Sequence, residues 1–344
     1  MKWIPCLDGL RGISILCVII AHLSQNVSPG KPWEHVLGQL GRIGVAIFFV
    51  ISGFIITKGL ARDIEKKKPN ILRHFYIRRV FRILPASMLY LLVYSLWFYQ
   101  KQSKLPLNEI IAAGVLLAGI WPVTTWFTGH YWSLCVEEQF YLGMPAFLKK
   151  YGLKKTEMLG WAVIVISPIT RIGLYKIFGN RYDMSIFWVI DCLAAGVVLA
   201  IRSSHQSKVM ERPLVAVATI LFFVLLLGYY SHQGKYGVLT VPLLGTFQAL
   251  LGSILIISGI GAAKRGLWWR NLLESSILVQ VGKWSYSLYL FQQMFLVPKG
   301  IISEKWQSAP INLIGCFLLV PIIYFLWEVP MRNIGKRLTK EYGA

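Results

Sequence analysis

The sequence predicts an all-α, polytopic integral membrane protein, and three observations support this fold class. Hydrophobic residues make up 56% of the 344-residue chain and charged residues only 15%, whereas roughly a quarter of an ordinary soluble domain is charged. Apolar runs of about twenty residues recur from end to end, each long enough to cross a bilayer as a helix. Lysine and arginine collect in the short connections between these runs. A large soluble helical protein would need polar faces on most of its helices, which these runs lack.

Ten membrane spans are predicted, and the first contains residues 7–25. The other clear spans are apolar runs with few charges, at 43–60, 83–99, 159–174, 213–230, 241–263 and 311–327. Two further stretches, 109–121 and 131–148, share a single crossing, so one of them is expected to be re-entrant, interfacial or half of a broken span. The second holds two adjacent glutamates, which marks it as the unusual one. Residues 1–344 are expected to form one transmembrane domain with no appended soluble domain.

The distribution of basic residues predicts the side of the membrane that each loop occupies. Residues 58–82 contain nine lysines and arginines, and the positive-inside rule places such a loop in the cytoplasm. Both termini are then cytoplasmic as well. Later basic segments that fit this alternation lie at 149–155, 202–212, 264–270 and 332–340. The connection with Arg171, Lys176 and Arg181 fits the alternation least well.

The overall charge and the cysteines argue against two other classes of protein. A net charge of +21 would suggest nucleic-acid binding in a soluble protein. Because the basic residues lie beside apolar spans, the positive-inside rule explains them better, and no nucleic-acid partner is expected. The five cysteines are scattered and lie mostly in apolar stretches, which favours neither a disulfide framework nor a metal site. We therefore expect no bound metal or cofactor.

The first span carries ionisable residues that a purely structural helix would not need. Arg11 and His22 are eleven residues apart, which on a helix is about 16.5 Å and three turns plus roughly 20°, so they share a face. Asp8 lies one turn before Arg11 and can pair with it. An arginine at the lipid headgroups and a histidine at the outer interface would be a structural explanation. Ionisable groups inside a membrane are costly, however, and by default they mark a functional site.

The pair of Arg11 and His22, separated by ten residues, and several motifs along the chain resemble the membrane acyltransferase family 3. The motifs are "LDGLRG" (7–12), "FFVISGFIIT" (48–57), "RRVFRILPA" (78–86), "WSLCVEEQFYL" (132–142), "DCLAAG" (191–196), "GKWSYSLYLFQQ" (282–293) and "WEVP" (327–330). The resemblance extends over essentially the whole chain. It implies an enzyme of the bacterial cytoplasmic (inner) membrane that moves an acetyl or other short acyl group from acyl-CoA to a hydroxyl of an envelope or exported glycan or glycolipid, such as a lipopolysaccharide or exopolysaccharide.

The arginines before the third span are candidates for binding the acyl donor. Arg78, Arg79 and Arg82 have spacings of three and four residues, which allow a shared helical face. Clustered guanidinium groups repel one another unless an anion joins them, and a lipid phosphate is one such anion. The resemblance implies a second, because Arg79 and Arg82 fit the family's Arg-x-x-Arg element. In that case the arginines would hold the phosphates of the CoA donor by bidentate contacts.

His22, Glu137 and Arg11 are the predicted catalytic residues. An imidazole titrates near neutral pH and can take a proton from a hydroxyl and return it. The resemblance places the family's acid at Glu137, which would orient and charge His22 or bind an acceptor hydroxyl. A simpler alternative is an ion pair between a glutamate and a basic residue such as Arg11. Glu138 points about 100° away from Glu137 and is expected to serve packing or a second ion pair.

Further polar residues are expected to bind the acceptor or to support the structure. Many relatives have a histidine where this chain has Gln292, and because an amide cannot carry a proton through a cycle, we interpret Gln292 as a positioning residue. Glu328 is expected to close a helix end or bind a nearby arginine. The remaining candidates are Trp132, Ser133, Asp191 and Tyr286. The isolated histidines His74, His130 and His232 receive no role.

A transporter or flippase for a lipid-linked saccharide is the alternative function. Ten spans with buried charges would also suit such a protein. Against it, the sequence contains no pair of broken hydrophobic segments related by an internal repeat, which is a common sign of transporters.

Overall fold

The structure is a computed structural model, and its described residues form α-helices with no β-strand among them. The described residues are 4–27, 32–102, 105–115, 117–118, 125–178, 186–203, 213–233, 236–301 and 304–341. The α-helices are α1 (Pro5–Val27), α2 (Pro32–Glu65), α3 (Ile71–Gln102), α4 (Leu107–Gly114), α5 (Trp126–Gly129), α6 (Tyr131–Phe178), α7 (Ile186–Arg202), α8 (Pro213–His232), α9 (Gly237–Arg265), α10 (Trp268–Leu273), α11 (Ser276–Phe295), α12 (Ile311–Ile323) and α13 (Val329–Glu341). A 3-10 turn, Lys305–Gln307, precedes α12, and a π-helical stretch, Tyr324–Glu328, joins α12 to α13. The all-α prediction is confirmed.

Seven helices of the described chain are long and apolar enough to cross a membrane. One of them, α6, consists of two helices that meet at Gly152, where φ is 77° and ψ is 176°. That region of backbone space is essentially reserved for glycine, and Gly152 divides α6 into two successive helical segments. The helices α7 and α11, of 17 and 20 residues, also pack within the bundle. With α6 counted as two segments, the described residues contain ten such helical segments, a number compatible with the ten predicted spans.

Large apolar side chains cover the outer surface of the bundle. Leu96, Ile169 and Leu326 are 59%, 64% and 73% exposed, and α8 has only 17% of its most apolar window buried within the protein. A soluble protein rarely exposes so much contiguous apolar surface. Together with the long helices, this surface identifies a multi-pass membrane protein.

In the 109–148 region, the irregular part is the first stretch and the connection after it, whereas the sequence indicated the second stretch. The second stretch, with the paired glutamates, is regular helix from Tyr131 onward. The short helices α4 and α5 instead belong to the first stretch and to the connection after it; residues 116 and 119–124 lie outside the described part. The prediction that 131–148 is the unusual segment is therefore wrong. Glutamate is a good helix former, and Glu137 lines a cavity shared with arginines, which lowers the cost of placing its carboxylate within the membrane.

The helices α1 and α11 run parallel and touch backbone to backbone. A β-carbon on Gly12 would collide with the carbonyl of Leu278, and one on Gly282 would collide with the carbonyl of Asp8. Ten residues further along both helices, His22 meets Gln292. The close contact at the glycines therefore sets the register that brings these two side chains together.

A fully buried ion pair joins α6, α7 and α9. Arg171 Nη2 lies 2.5 Å from Asp191 Oδ1, and both side chains are 0% exposed. Arg171 also donates hydrogen bonds to the carbonyls of Trp188 and Pro242, which offsets part of the cost of burying the charge. Asp191 thus has a structural role. Arg171 is not a loop residue, so it does not bear on the predicted loop alternation, and Arg181 lies outside the described residues.

Candidate functional site

A cavity between α1, α2, α3, α6 and α11 collects many of the predicted site residues. Its charged lining residues in the described chain are Arg11 from α1, Arg79 and Arg82 from α3, and Glu137 from α6. Its hydroxyl-bearing lining residues are Ser133, Tyr141, Ser285, Tyr286 and Tyr289. Residues predicted separately from four parts of the sequence therefore meet around one space.

The cavity has an excess of positive charge. Arg11 pairs with Asp8 at 4.0 Å, and its Nε is buried with no hydrogen-bond partner among the described residues. The Arg79 guanidinium lies 4.8 Å from the ring centre of Tyr141, a cation–π contact that holds it in place. Three guanidinium groups thus stand against the carboxylates of Asp8 and Glu137. Such an arrangement suits an anionic ligand, because guanidinium groups bind phosphate and carboxylate through paired hydrogen bonds.

Arg78 does not share this cavity. Its side chain is exposed and lines a separate cavity with Asp63, Lys68, His74 and Lys336, between the start of α3 and α13. The expectation that Arg78, Arg79 and Arg82 use one face is therefore wrong. Arg78 lies nearest the start of α3 and is turned about 100° from Arg79, so it faces the preceding loop and the last helix instead.

His22 lies outside the lining of the cavity, and its ring points into the protein. Its Nδ1 is 2.8 Å from Oε1 of Gln292, and its ring meets the ring of Trp126 edge-on at 4.9 Å. Glu137 was predicted to orient the His22 ring, but the residue that contacts the ring nitrogen is Gln292. Glu137 instead lies within electrostatic reach of Arg11 and Arg79.

A chain of amide hydrogen bonds assigns the tautomer of His22. The carbonyl oxygen of Trp126 can only accept, and it accepts a hydrogen bond from Nε2 of Gln293 at 2.6 Å. The Oε1 atom of Gln293 must then be an acceptor, and it accepts a hydrogen bond from Nε2 of Gln292 at 3.0 Å. Gln292 is left with Oε1 facing His22, so Nδ1 of His22 carries the hydrogen. The other ring nitrogen, Nε2, therefore keeps its lone pair, which is the state a general base requires.

The directions of the helices explain why the arginines and His22 lie at different depths. On α1, Arg11 and His22 are about 16.5 Å apart along the axis. Trp126 and Glu137 have the same spacing in sequence but run in the opposite direction. Arg11 is therefore level with Glu137, and His22 is level with Trp126.

Ser133 and Tyr289 occupy the depth between the arginines and His22. Their side-chain oxygens are 2.5 Å apart. Both hydroxyls also lie near the backbone carbonyl of His130, at 3.1 and 3.2 Å. Because each hydroxyl carries a single hydrogen, one donates to its partner hydroxyl and the other donates to this carbonyl. Polar groups thus continue from the cavity toward His22.

The other predicted site residues have mainly structural surroundings. Trp132 packs 6.1 Å from the ring of Phe49, and Tyr286 donates to the carbonyl of Ile83 at 2.7 Å while it lines the cavity. Glu138 does not line this cavity, and its Oε1 is buried without a hydrogen-bond partner among the described residues.

Glu328 is enclosed where α12 continues into α13. It is 3% exposed and accepts a hydrogen bond from Ser287 Oγ at 2.7 Å. Arg332 lies 3.4 Å away, one turn later. The expected pairing with a nearby arginine is therefore present, but Glu328 lies in the π-helical stretch and does not end the helix.

Three residues near His22 were missed by the sequence analysis. Gln293 and Trp126 complete the hydrogen bonds that orient it. His130, predicted to be an isolated loop or interfacial residue, is 4% exposed and lies within electrostatic reach of His22. Its position two residues before "WSLCVEEQFYL" was the available signal. No group of three or more potential metal ligands occurs among the described residues.

Comparison with known proteins identifies the family. A sequence model described as an acyltransferase domain (Acyl_transf_3) matches residues 4–328. "Putative O-acetyltransferase SACOL0978" of Staphylococcus aureus (strain COL) is 29% identical over 370 residues, which cover 99% of this chain and 58% of that protein. "Peptidoglycan O-acetyltransferase OatA" of Listeria monocytogenes is 27% identical over 97% of this chain and 56% of its own length.

The chain spans a little over half the length of these curated relatives. No solved structure matches it. The match to the acyltransferase model nevertheless extends over nearly the entire chain. The chain belongs to the membrane acyltransferase family 3.

Proposed function

We propose that this protein is an integral-membrane O-acyltransferase that moves an acetyl or other short acyl group from acyl-CoA to a hydroxyl of an envelope glycan or glycolipid. One observation carries the proposal. An arginine-rich cavity and a histidine whose Nε2 is free to accept a proton lie along the same face of α1, with polar groups between them. Acyl transfer needs both an anchor for an anionic donor and a general base.

Arg11, Arg79 and Arg82 would anchor the donor. CoA carries several phosphate charges and does not cross membranes, so its binding site must open to the cytoplasm. The arginines lie at the end of the bundle that the positive-inside rule predicts to be cytoplasmic. Glu137 would offset the mutual repulsion of the guanidinium groups, since it is the acid among the described lining residues of the cavity.

His22 would activate the acceptor. Its Nε2 takes the proton of the sugar hydroxyl, and the oxygen attacks the carbonyl carbon of the thioester. The C–S bond then breaks, and the proton on His22 passes to the departing thiolate. The distance of about 16.5 Å between Arg11 and His22 is roughly half of a 30 Å hydrocarbon core. We therefore expect the acyl end of the donor to extend from the arginines toward the opposite side of the membrane.

The acceptor class comes from the relatives. The relative from Listeria monocytogenes is named "Peptidoglycan O-acetyltransferase OatA", and one from Bacillus subtilis is named "Putative peptidoglycan O-acetyltransferase YrhL". A cell-wall glycan is accordingly the first acceptor to test, followed by lipopolysaccharide and exopolysaccharide fragments.

Incubation of purified protein with labelled acetyl-CoA and glycan fragments tests the proposal. We expect release of free CoA thiol together with label on the glycan. The polar groups between the two depths would also suit the alternative, a transporter or flippase of a lipid-linked saccharide. Such a protein would release no thiol, and it would move a labelled lipid-linked sugar across proteoliposome membranes without acyl donor.

A further inference from the structure

His130 is a buried histidine whose ring has no polar partner. It lies between α5 and α6 and is 4% exposed. Neither Nδ1 nor Nε2 has a hydrogen-bond partner among the described residues. A neutral imidazole always presents one N–H and one lone pair, and native proteins rarely bury either without a partner. The ring therefore has unused hydrogen-bonding capacity.

Three tyrosine rings enclose His130. The centres of Tyr90, Tyr131 and Tyr289 lie 5.2, 4.9 and 5.6 Å from the centre of its ring. Such a cage would allow three hydroxyl groups to satisfy the imidazole. None of them does so.

Each tyrosine hydroxyl is engaged elsewhere. Tyr90 donates to the carbonyl of Phe127 at 2.6 Å. Tyr131 donates to the carbonyl of Ser87 at 2.9 Å. The Tyr289 hydroxyl contacts Ser133 and the backbone carbonyl of His130, not its ring. The enclosure therefore supplies apolar walls and leaves the polar atoms of His130 for a ligand.

The position of His130 indicates which ligand. Ser133 and Tyr289 line the arginine cavity, and their hydroxyls contact the backbone carbonyl of His130. The His22 ring contacts Trp126, the first residue of α5, and His130 directly follows the end of this one-turn helix. An acyl group that extends from the arginines past Tyr289 would thus meet both histidines.

We propose that the N–H of His130 donates a hydrogen bond to the carbonyl oxygen of the acyl group during transfer, an inference that rests on the proposed function. Nε2 of His22 accepts a proton and cannot donate to that oxygen at the same time. As the new C–O bond forms, the electrons of the C=O bond move onto the carbonyl oxygen, where the His130 N–H stabilises them. They return when the C–S bond breaks and the thiolate leaves with the proton from His22. A preorganised donor of this kind typically contributes 10²- to 10³-fold in kcat.

The test compares His130→Phe, His130→Asn and Tyr94→Phe in purified full-length protein. Phe fills the aromatic enclosure without polar atoms, and Asn restores an N–H donor. Tyr94→Phe is the matched control, because it removes a hydroxyl from the same aromatic cluster at a fully buried residue that has no assigned role. Thermal unfolding and acetyl-CoA turnover are measured for each variant.

For His130→Phe we expect a Tm equal to or above that of the wild type, because a buried group without a partner has been removed. Its kcat should fall about 10²- to 10³-fold, with a smaller change in the KM for acetyl-CoA. His130→Asn should recover part of the lost kcat, and Tyr94→Phe should retain full turnover.

Two outcomes would overturn the assignment. One is wild-type turnover in His130→Phe. The other is a loss of activity that accompanies a lowered Tm in both His130 variants, which would indicate a packing role. Absence of thiol release from the wild-type protein is a different result, because it would overturn the proposed function itself and this inference with it.

Discussion

His22 and Gln292 lie 270 positions apart in the sequence, yet their side chains meet at 2.8 Å. The same offset relates Gly12 to Gly282, where the backbones of α1 and α11 touch. The contact therefore follows from the parallel register of two closely packed helices. It leaves His22 with its hydrogen on Nδ1 and its lone pair on Nε2.

Gln292→Leu should impair catalysis more than donor binding. The change removes the acceptor that holds the Nδ1–H of His22, so both the tautomer and the ring orientation are lost. We expect kcat to fall about 10- to 100-fold with the KM for acetyl-CoA nearly unchanged, by analogy with the loss of other groups that orient a catalytic imidazole. Gln292→Glu keeps an acceptor for Nδ1 and should retain more activity than Gln292→Leu. Equal activity in both variants would contradict the orienting role.

Arg79→Gln and Arg82→Gln should weaken binding of the donor. Each removes a charge-assisted hydrogen bond of about 1.5–3 kcal/mol, so the KM for acetyl-CoA should rise roughly 10- to 100-fold. Arg78→Gln is the matched control, because it removes the same charge from the neighbouring residue, which lines a separate cavity. A KM that rises equally in all three variants would mean that the arginines act through topology or general charge.

Gly282→Ala should destabilise the bundle. Its β-carbon would collide with the Asp8 carbonyl, and such overpacking typically costs about 1–3 kcal/mol or more. Gly38→Ala is the control, because nothing lies within 4 Å of the β-carbon it would add. Thermal unfolding in detergent should show a lower Tm for Gly282→Ala only. Two unchanged unfolding curves would be incompatible with the close contact of α1 and α11.

Arg171→Met should destabilise the protein without a direct effect on chemistry. It leaves Asp191 buried and unpaired, a change that costs about 3–5 kcal/mol. The double variant Arg171→Met with Asp191→Leu should recover much of this loss. Arg202→Ala breaks an exposed ion pair with Glu157 and should cost at most about 1 kcal/mol. If Arg171→Met alone were as stable as Arg202→Ala, the structural role of the buried pair would be contradicted.

Much of the fold could be predicted because each span is a local feature of the sequence. Apolar runs locate nearly every long helix, and a helical period of 3.6 residues places Arg11 and His22 on one face. The pairing of Asp8 with Arg11 is local in the same sense. Such predictions need only the geometry of one helix.

The rest of the site depends on how distant helices are aligned. The sequence could not indicate that α6 runs against α1, which brings Glu137 level with Arg11 and leaves Gln292 to hold His22. The spacing along α3 predicts that Arg78 shares a face with Arg79 and Arg82. This spacing contains no information about the preceding loop and α13, which form a separate cavity with Arg78. The burial of His130 could not be predicted because it depends on Tyr90 and Tyr289, which belong to two distant helices.

The most direct test of the account is single-turnover acyl transfer by His22→Ala. We predict that this variant binds acetyl-CoA with nearly wild-type affinity, because the arginine cavity is intact, while transfer to the glycan falls about 10²- to 10⁴-fold, the usual contribution of a general base. Its unfolding curve should match that of the wild type. A folded His22→Ala protein that transfers the acyl group at the wild-type rate would contradict the central claim.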